Sequence, residues 1–425
     1  MRSRHVVPVA LLASMALLLA GCSSGGSNGD APHKDAGEAS GTLTFANWQW
    51  QEPGRGVPLW DAYSAYTKAN PKATMEKQDV TRADFEKTMS TQIGAGGGPD
   101  ILIIPDPFFN TLAASGSLEP LDGVLTTAQT KTLRASSKDY VFKGKQLSLP
   151  EEAVSYALFW NKKIIDEAGV TPPTSFDELV QAAKTVQEKT GKTGFVVRHQ
   201  MNEETVWASD YQNWPFGFGG GFSKNGELTI NSPENIKAAE AFKQIYSSGA
   251  FGVGDDASTY RAKFAAGEVG FLIDNSAALM TMVANNKVVP STDVGASVLP
   301  FPGGGSVFGG FSIGINAHSK NKALAKDFIK WLYTEDVQKV FAGILFPSVA
   351  GTNVAPPQAL VDANPWIKAF DEQLDHSSSA VIKGFETKTP QIIHIVLTQV
   401  SKLLTSDESA KDAMDAAQKE AQSLG

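Results

Sequence analysis

The chain has one cysteine in 425 residues, Cys22, so an internal disulfide is excluded. Histidine is nearly as scarce. Six scattered residues and a lone thiol give no basis for a zinc site. Positive charge is also in deficit. There are 37 Lys and Arg against 45 Asp and Glu, a net −8 with a sequence pI near 5.4. A general nucleic-acid binder needs a basic face and is therefore not expected. Beyond the N-terminus no run approaches the ~18 consecutive apolar residues of a membrane span. Long charge blocks and fixed-period repeats are missing too. What is present is a 42% hydrophobic content, enough to build real cores.

The N-terminus is "MRSRHVVPVALLASMALLLAGCSSGG". Arg2 and Arg4 make a basic start, and Val6 to Ala20 is an apolar run broken only by Pro8 and Ser14. That length suits a signal peptide better than a spanning helix of ~20 residues. Leu-Ala-Gly-Cys at 19–22 resembles the bacterial lipobox, which implies cleavage before Cys22 and lipid on its thiol. Residues 1–21 are then a signal peptide. Residues 22–41 are Ser/Gly-rich, polar and aperiodic, the composition of a flexible tether. The remaining body of roughly 385 residues exceeds one domain on the ~100–200-residue prior.

Along the body, Leu43 and Phe45 alternate with threonines as in a strand. Leu59, Trp60, Tyr63 and Tyr66, then Phe85, Met89 and Ile93, have helical spacing, and Ile101 to Ile104 is a short, fully apolar run. This strand–helix–helix–strand order predicts an α/β sheet with crossover helices. Further on, "KGKQLSLP", "SYALFWNK", "EVGFLIDN" and "FSIGINA" read as separate strands. "SFDELVQAAKTVQEKTG" reads as a helix with Ser175 as N-cap, Glu178 three residues on and Gly191 behind it. Ser232 and Pro233 open another helix, "NKALAKDFIKWLYT" is amphipathic, and the tail reads as two more helices. "TVWASDYQNWPFGFGGGF", 205–222, looks too irregular for a long helix.

Three motifs invite a chemical reading. "GAGGGPD", 94–100, leaves a helix and opens a strand, the reverse of a dinucleotide loop. "GFSIG", 310–314, matches a nucleophile elbow, with Asp362 or Asp371 and His376 or His394 later in a permitted order. An elbow needs a helix after its serine, and strand periodicity continues instead. Glu151 and Glu152 suggest the carboxylate pair of a glycosidase. Adjacent residues of a regular strand point to opposite faces, so this pair does not readily flank one bond.

The order of segments resembles the extracellular solute-binding proteins of ABC importers, the family typified by maltose-binding protein. The resemblance spans nearly the whole mature chain. It rests on "GGGPDILIIPDP", on "GKQLSLPEEAVSYALFWNKKIIDEAGVTPPTSFDELVQAAK" with Trp160 in place of the usual tyrosine, and on "GELTINSPENIKAAEAF", "FAAGEVGF" and "GGFSIGINAHSKNKALAKDFIKWL". It implies a two-lobe α/β fold with about three crossings, closing on a ligand by hinge motion. The crossings fall near Pro150, near Leu299-Pro300 and between Leu332 and Pro347. The N-terminal lobe is then 42–150 plus 298–335, and the C-terminal lobe 151–297 plus 336–425.

The resemblance also implies where ligand is held. In this family the segment containing 205–222 contributes cleft residues, which singles out Trp207, Asp210, Tyr211, Asn213 and Trp214. Rings stack on a pyranose while Asp, Asn and Gln take its hydroxyls. Strand ends add Trp48, Gln49, Trp50, Asp106, Phe108, Glu151, Glu152, Asp274, Asn275, Phe311 and Ser312. In the helix "PQIIHIVLTQV", where many members carry a stacking aromatic, this chain offers His394. The expectation is a lipid-anchored receptor for a mono- or oligosaccharide. It has no catalysis, cofactor or metal, and its partners are the membrane permease subunits. The same fold also serves polyamines, iron complexes and glycerol phosphates. An anchored hydrolase and a surface lectin are the rivals from other classes.

Overall fold

A computed structural model describes residues 40–52 and 55–424. The lipobox, Cys22 and the tether up to residue 39 lie outside the described residues; Gly41, expected at the end of the tether, already opens the first strand.

The centre is a ten-stranded sheet. Its strands are β1 (Gly41–Ala46), β2 (Ala73–Gln78), β3 (Ile101–Pro105), β4 (Ser148–Asn161), β5 (Thr193–Val196), β6 (Val269–Asn275), β7 (Val294–Ser297), β8 (Ser306–Ile315), β9 (Val349–Ala350) and β10 (Ser377–Ser379). The order along the sheet is β2-β1-β3-β8-β4-β6-β5, with β7 and β9 also on β4 and β10 on β8. β1 is parallel to β2 and β3, β6 to β5 and β10 to β8, while β8 runs antiparallel to β3 and β4, and β4 antiparallel to all its neighbours. Helices cover the sheet, so the mixed α/β class expected from the sequence holds.

β4 is 14 residues long and unites two segments that the sequence suggests are separate strands. Its inner residues belong to different cores. Leu149 packs with Phe45, Tyr63, Ile103 and Phe328 in one large core. Leu158 and Trp160 pack with Leu179, Trp214 and Phe242 in a second. Ala157 and Phe159, on the opposite face, pack with Tyr260, Leu279 and Phe370 in a third. This is the two-residue period of a strand buried on both sides. β8 also spans the cores, with Ile313 and Ile315 in the first and Phe308 beside Ala153 and Leu374.

Local chemistry sets the helix ends. The Ser175 hydroxyl accepts the Glu178 amide at 3.3 Å, and Gly191 closes the helix Phe176–Thr190 at φ +70°. Glu178 does not complete the expected capping box on Ser175; its carboxylate takes the amide and hydroxyl of Thr174, each at 2.7 Å. Ser232 caps the helix Pro233–Tyr246, as expected from the sequence.

Two sequence expectations fail. β2 is a strand that apolar patterning does not announce, because only Ala73 of its six residues is buried. It is a polar edge, and an edge strand need not be apolar. The irregular-looking stretch 205–222 forms most of the helix Glu204–Gly217, with Pro215 inside it. Trp207, Asp210, Tyr211, Gln212, Asn213 and Trp214 are all buried, while the outer positions include Val206, Ala208 and Phe216, so polar and apolar residues are mixed between the faces and give no helical stripe.

Gly194 shows how closely β5 lies on its helix. A Cβ there would sit 2.1 Å from the carbonyl oxygen of Ala183. Gly194→Ala should therefore lower unfolding free energy by about 1–3 kcal/mol, read as a lower urea midpoint at unchanged m-value.

Candidate solute cleft

The two crossing strands are almost sealed. Of the 14 residues of β4, Val154 alone is partly exposed. In β8 the partly exposed residues are Gly309 and Phe311. These three share a face. Val154 lies opposite Gly309 and Glu152 opposite Phe311 in the antiparallel ladder, and directly paired residues project the same way. At the far end, Tyr156 lies opposite Asn275, itself partly exposed. One face of the crossing is thus open along Phe311, Gly309, Val154 and Asn275.

At one end of this floor stands the turn that follows β1, Trp48–Gln51. The Trp48 ring packs edge-on to Phe311 at 5.1 Å and to Phe85 at 4.9 Å, with the Arg82 guanidinium 5.0 Å over it. Asn47 caps the turn by accepting the Gln49 amide at 2.9 Å. Gln49 Nε2 then donates to Glu152 Oε2 at 2.9 Å, and Arg55 Nη2 meets the same oxygen at 2.6 Å.

At the other end is a charged cluster. The Tyr156 hydroxyl donates to Asp210 Oδ1 at 2.6 Å, and Arg198 pairs with Asp210 Oδ2. Asp274 is held by two guanidinium nitrogens of Arg261, Nε at 2.8 Å and Nη2 at 3.0 Å. Asn275 caps the helix Ser276–Val283 through Ala278 N. Burial pushes the Asp210 carboxyl up and the Arg198 charge pulls it back.

The two glutamates are not placed as a regular strand would place them. The ladder pairs Ser312 with Pro150 and Phe311 with Glu152, so Glu151 is the extra residue of a bulge. Glu151 takes the hydroxyl of Tyr63, and its Oε2 has no hydrogen bond. Burial, then the neighbouring Glu152 charge, raises its carboxyl above the usual range.

The structure therefore brings Trp48, Gln49, Glu152, Phe311, Asp210 and Asn275 to one face. The other residues expected there are used differently. Trp50 is wedged among Phe45, Trp60 and Tyr63, and Phe108 is in the same core. Trp207, Tyr211 and Trp214 are 0–2% exposed and pack in the second core, Trp214 between Phe242 and Phe301. Trp207 Nε1 is left without a partner. Asn213 ties its helix to β8, accepting from Ser306 Oγ at 2.7 Å and Val307 N at 3.0 Å. The sequence set these groups against a sugar; the fold sets them against one another. Asp274 is buried under Arg261. Ser312 is fully buried in mid-strand, accepting from Ser148 Oγ at 2.9 Å, which removes it as an elbow nucleophile. His394 is half exposed and pairs with Glu204 at 2.8 Å.

Asp106 lies behind the crossing. A Cβ on Gly310, which faces away from Phe311, would meet Asp106 Oδ2 at 2.6 Å and the Tyr140 hydroxyl at 2.8 Å. Tyr140 donates to Asp106 Oδ1 at 2.5 Å. Burial raises this carboxyl to about 7, opposed by the Tyr140 hydrogen bond.

Sequence reasoning missed Val154, Gly309, Tyr156, Arg55 and Arg198. Arg198 had a usable signal, since it follows the apolar "GFVV" of β5 at a strand end. Val154 and Gly309 had none, being small apolar residues within apolar strands.

The family model described as bacterial extracellular solute-binding protein matches residues 50–339. A diacetylchitobiose-binding protein of Streptomyces coelicolor is 27% identical over 350 residues, 77% of each chain. An sn-glycerol-3-phosphate-binding periplasmic protein of Agrobacterium fabrum is 25% identical over 333 residues, 72% of this chain and 74% of its own. Among solved structures, a cyclic alpha-maltosyl-1,6-maltose binding protein from Arthrobacter globiformis superposes with a TM-score of 0.80 at 20% identity, covering 91% of this chain and 99% of that one.

The raised carboxyl of Asp106 has a measurable consequence. The folded state keeps a proton that the unfolded chain releases above ~4. This stabilisation is complete below that value and is lost as pH rises through about 7. From pH 5 to 8 the wild type should therefore lose stability relative to Asp106→Asn, which keeps the Tyr140 acceptor and does not titrate. Melting temperatures of the two proteins across that range check it, and parallel profiles would contradict it.

Proposed function

The chain belongs to the bacterial extracellular solute-binding protein family, and from that premise we propose that it is the lipid-anchored receptor of an ABC importer, capturing a mono- or oligosaccharide. The family comprises binding proteins of transporters, not enzymes. Lipid on Cys22 holds the receptor at the outer membrane face, a reading supported by the lipobox-like 19–22. Among the described residues no helix is long and apolar enough to cross a membrane.

The observation that carries the ligand site is the single open face of an otherwise sealed crossing. Val154, Gly309, Phe311 and Asn275 form its floor, Trp48, Gln49 and Glu152 one wall, and Tyr156, Asp210 and Arg198 the other. Aromatic and methyl groups offer an apolar platform to sugar C–H bonds, and the amide and carboxylates take hydroxyls. Packing supports lobes slightly different from those expected. The helix Glu335–Ile344 buries Phe341 and Ala342 in the first core, so the first lobe extends past 335. Leu299 and Phe301 pack in the second core, so the second crossing runs along β8 itself. Closure of these lobes would bury the solute and form the surface that the permease subunits read.

Charge favours a neutral solute over a phosphate. Arg55 is surrounded by Glu52, Glu151 and Glu152, and Arg198 by Asp210 and Glu203. Arg55 Nε keeps no hydrogen bond, but carboxylates outnumber each guanidinium in its surroundings, which disfavours a second anion. The diacetylchitobiose relative supports amide-bearing or neutral oligosaccharides as the first solutes to try.

A thermal-shift panel of neutral sugars, polyamines and glycerol phosphates should give a sugar hit, worth ~2.7 kcal/mol at a hundredfold excess over Kd. Val154→Trp, which fills the floor, should abolish that shift while leaving the ligand-free melting temperature within a few degrees. Phe311→Ala should weaken binding about tenfold, ~1.4 kcal/mol. Silence across sugars with a polyamine or phosphate hit would overturn the sugar assignment. Trp214→Ala is a poor probe, because emptying its core site costs about 3–5 kcal/mol and unfolding would mimic lost binding.

A further inference from the structure

Behind the crossing, on the face away from Val154 and Phe311, lies a cavity of about 160 Å³. Asp106, Phe109 and Tyr140 form one side and Ser379, Val381 and Lys383 the other. Phe109 and Tyr140 belong to the first core, while Ile382, next to Val381, belongs to the second. Asp106 is 8% exposed, lines this cavity and leaves Oδ2 without a hydrogen bond. The Gly310 amide lies close enough to favour the ionised carboxyl but does not make a well-formed hydrogen bond to Oδ2, and a buried carboxylate oxygen so poorly supplied is costly.

The cavity also has a charge imbalance. Its other ionisable groups are Lys138 and Lys383 against Asp139 and Glu386, which cancel in number. Asp106 is thus the uncompensated charge, and among the described residues no cation pairs with it. The Tyr140 hydroxyl is committed as a donor to Oδ1, so its oxygen is left as an acceptor beside the cavity. Donors do line the cavity elsewhere, in Asn110, Lys138, Ser379 and Lys383, but Asp106 Oδ2 and the Tyr140 oxygen are two acceptors that no side chain reaches, and a space of a few water volumes at ~30 Å³ each suits a small group that donates to both. An ammonium has three donors and no acceptor.

We propose that this cavity is a second binding site, separate from the solute cleft, for a small primary ammonium compound held by Asp106 and Tyr140. No covalent step is involved. The bound cation keeps Asp106 ionised, so binding releases a proton wherever that carboxyl is otherwise protonated.

The test titrates ethanolamine into the full-length receptor by calorimetry, with neutral N-acetylethanolamine alongside. Saturable ethanolamine binding is expected, strengthening as pH rises from 6 to 8, with none for the acetylated compound. Asp106→Asn should weaken it at least tenfold, and Val381→Trp, which fills the mouth without touching Asp106, should block it. If Asp106→Asn fails to fold, the acetylated compound and Val381→Trp still decide. No saturable binding by wild type, equal binding of the neutral compound, or full binding by Val381→Trp would overturn the proposal. Each arm is independent of sugar binding, so the sugar reading can fail while this one stands.

Discussion

Everything in this molecule depends on two antiparallel strands shared by separate hydrophobic cores. β4 alone supplies Leu149 to the first core and Leu158, Phe159 and Trp160 to the others. A strand buried along its length on both faces cannot also present a surface. The crossing resolves this conflict at one place, where Val154 and Gly309 are small enough to leave the ladder open. The candidate cleft is the consequence of that gap, and the turn after β1 and the end of β6 are arranged around it.

Buried charge follows the same economy. Glu152, Asp210 and Asp274 each have a guanidinium, and each is hydrogen-bonded by a neutral group as well. Pairing of this kind is needed because an unpaired buried carboxylate is far costlier than a paired one. Glu151 and Asp106 depart from the pattern. Each has one tyrosine hydroxyl and one oxygen that no side chain reaches, and burial raises both carboxyls. They sit at the bulge and behind the crossing, where the two cores meet.

The sequence is legible where periodicity and capping speak directly. β1, β3, β6 and the two C-terminal helices, the Ser175 and Ser232 caps, and the order of segments are all readable. It is least legible in the stretch from Thr205 to Phe222. Aromatic and short polar residues there look like a sugar-binding loop, because a helix that buries Asp210, Gln212 and Asn213 and exposes Val206 carries no stripe to betray it. Residue type alone does not say which way a tryptophan points. The reverse holds at Val154, where a floor position is indistinguishable in sequence from a core position. Glu151 and Glu152 mislead for a third reason: a bulge breaks the alternation that would otherwise set their faces.

The most direct test of a solute lying on this floor is intermolecular NOE measurement on receptor with labelled valine methyls, saturated with the sugar that gives the strongest thermal shift. The account predicts contacts from sugar ring protons to the Val154 methyls and to the Phe311 ring. Contacts confined to other residues, with none at Val154 or Phe311, would contradict it.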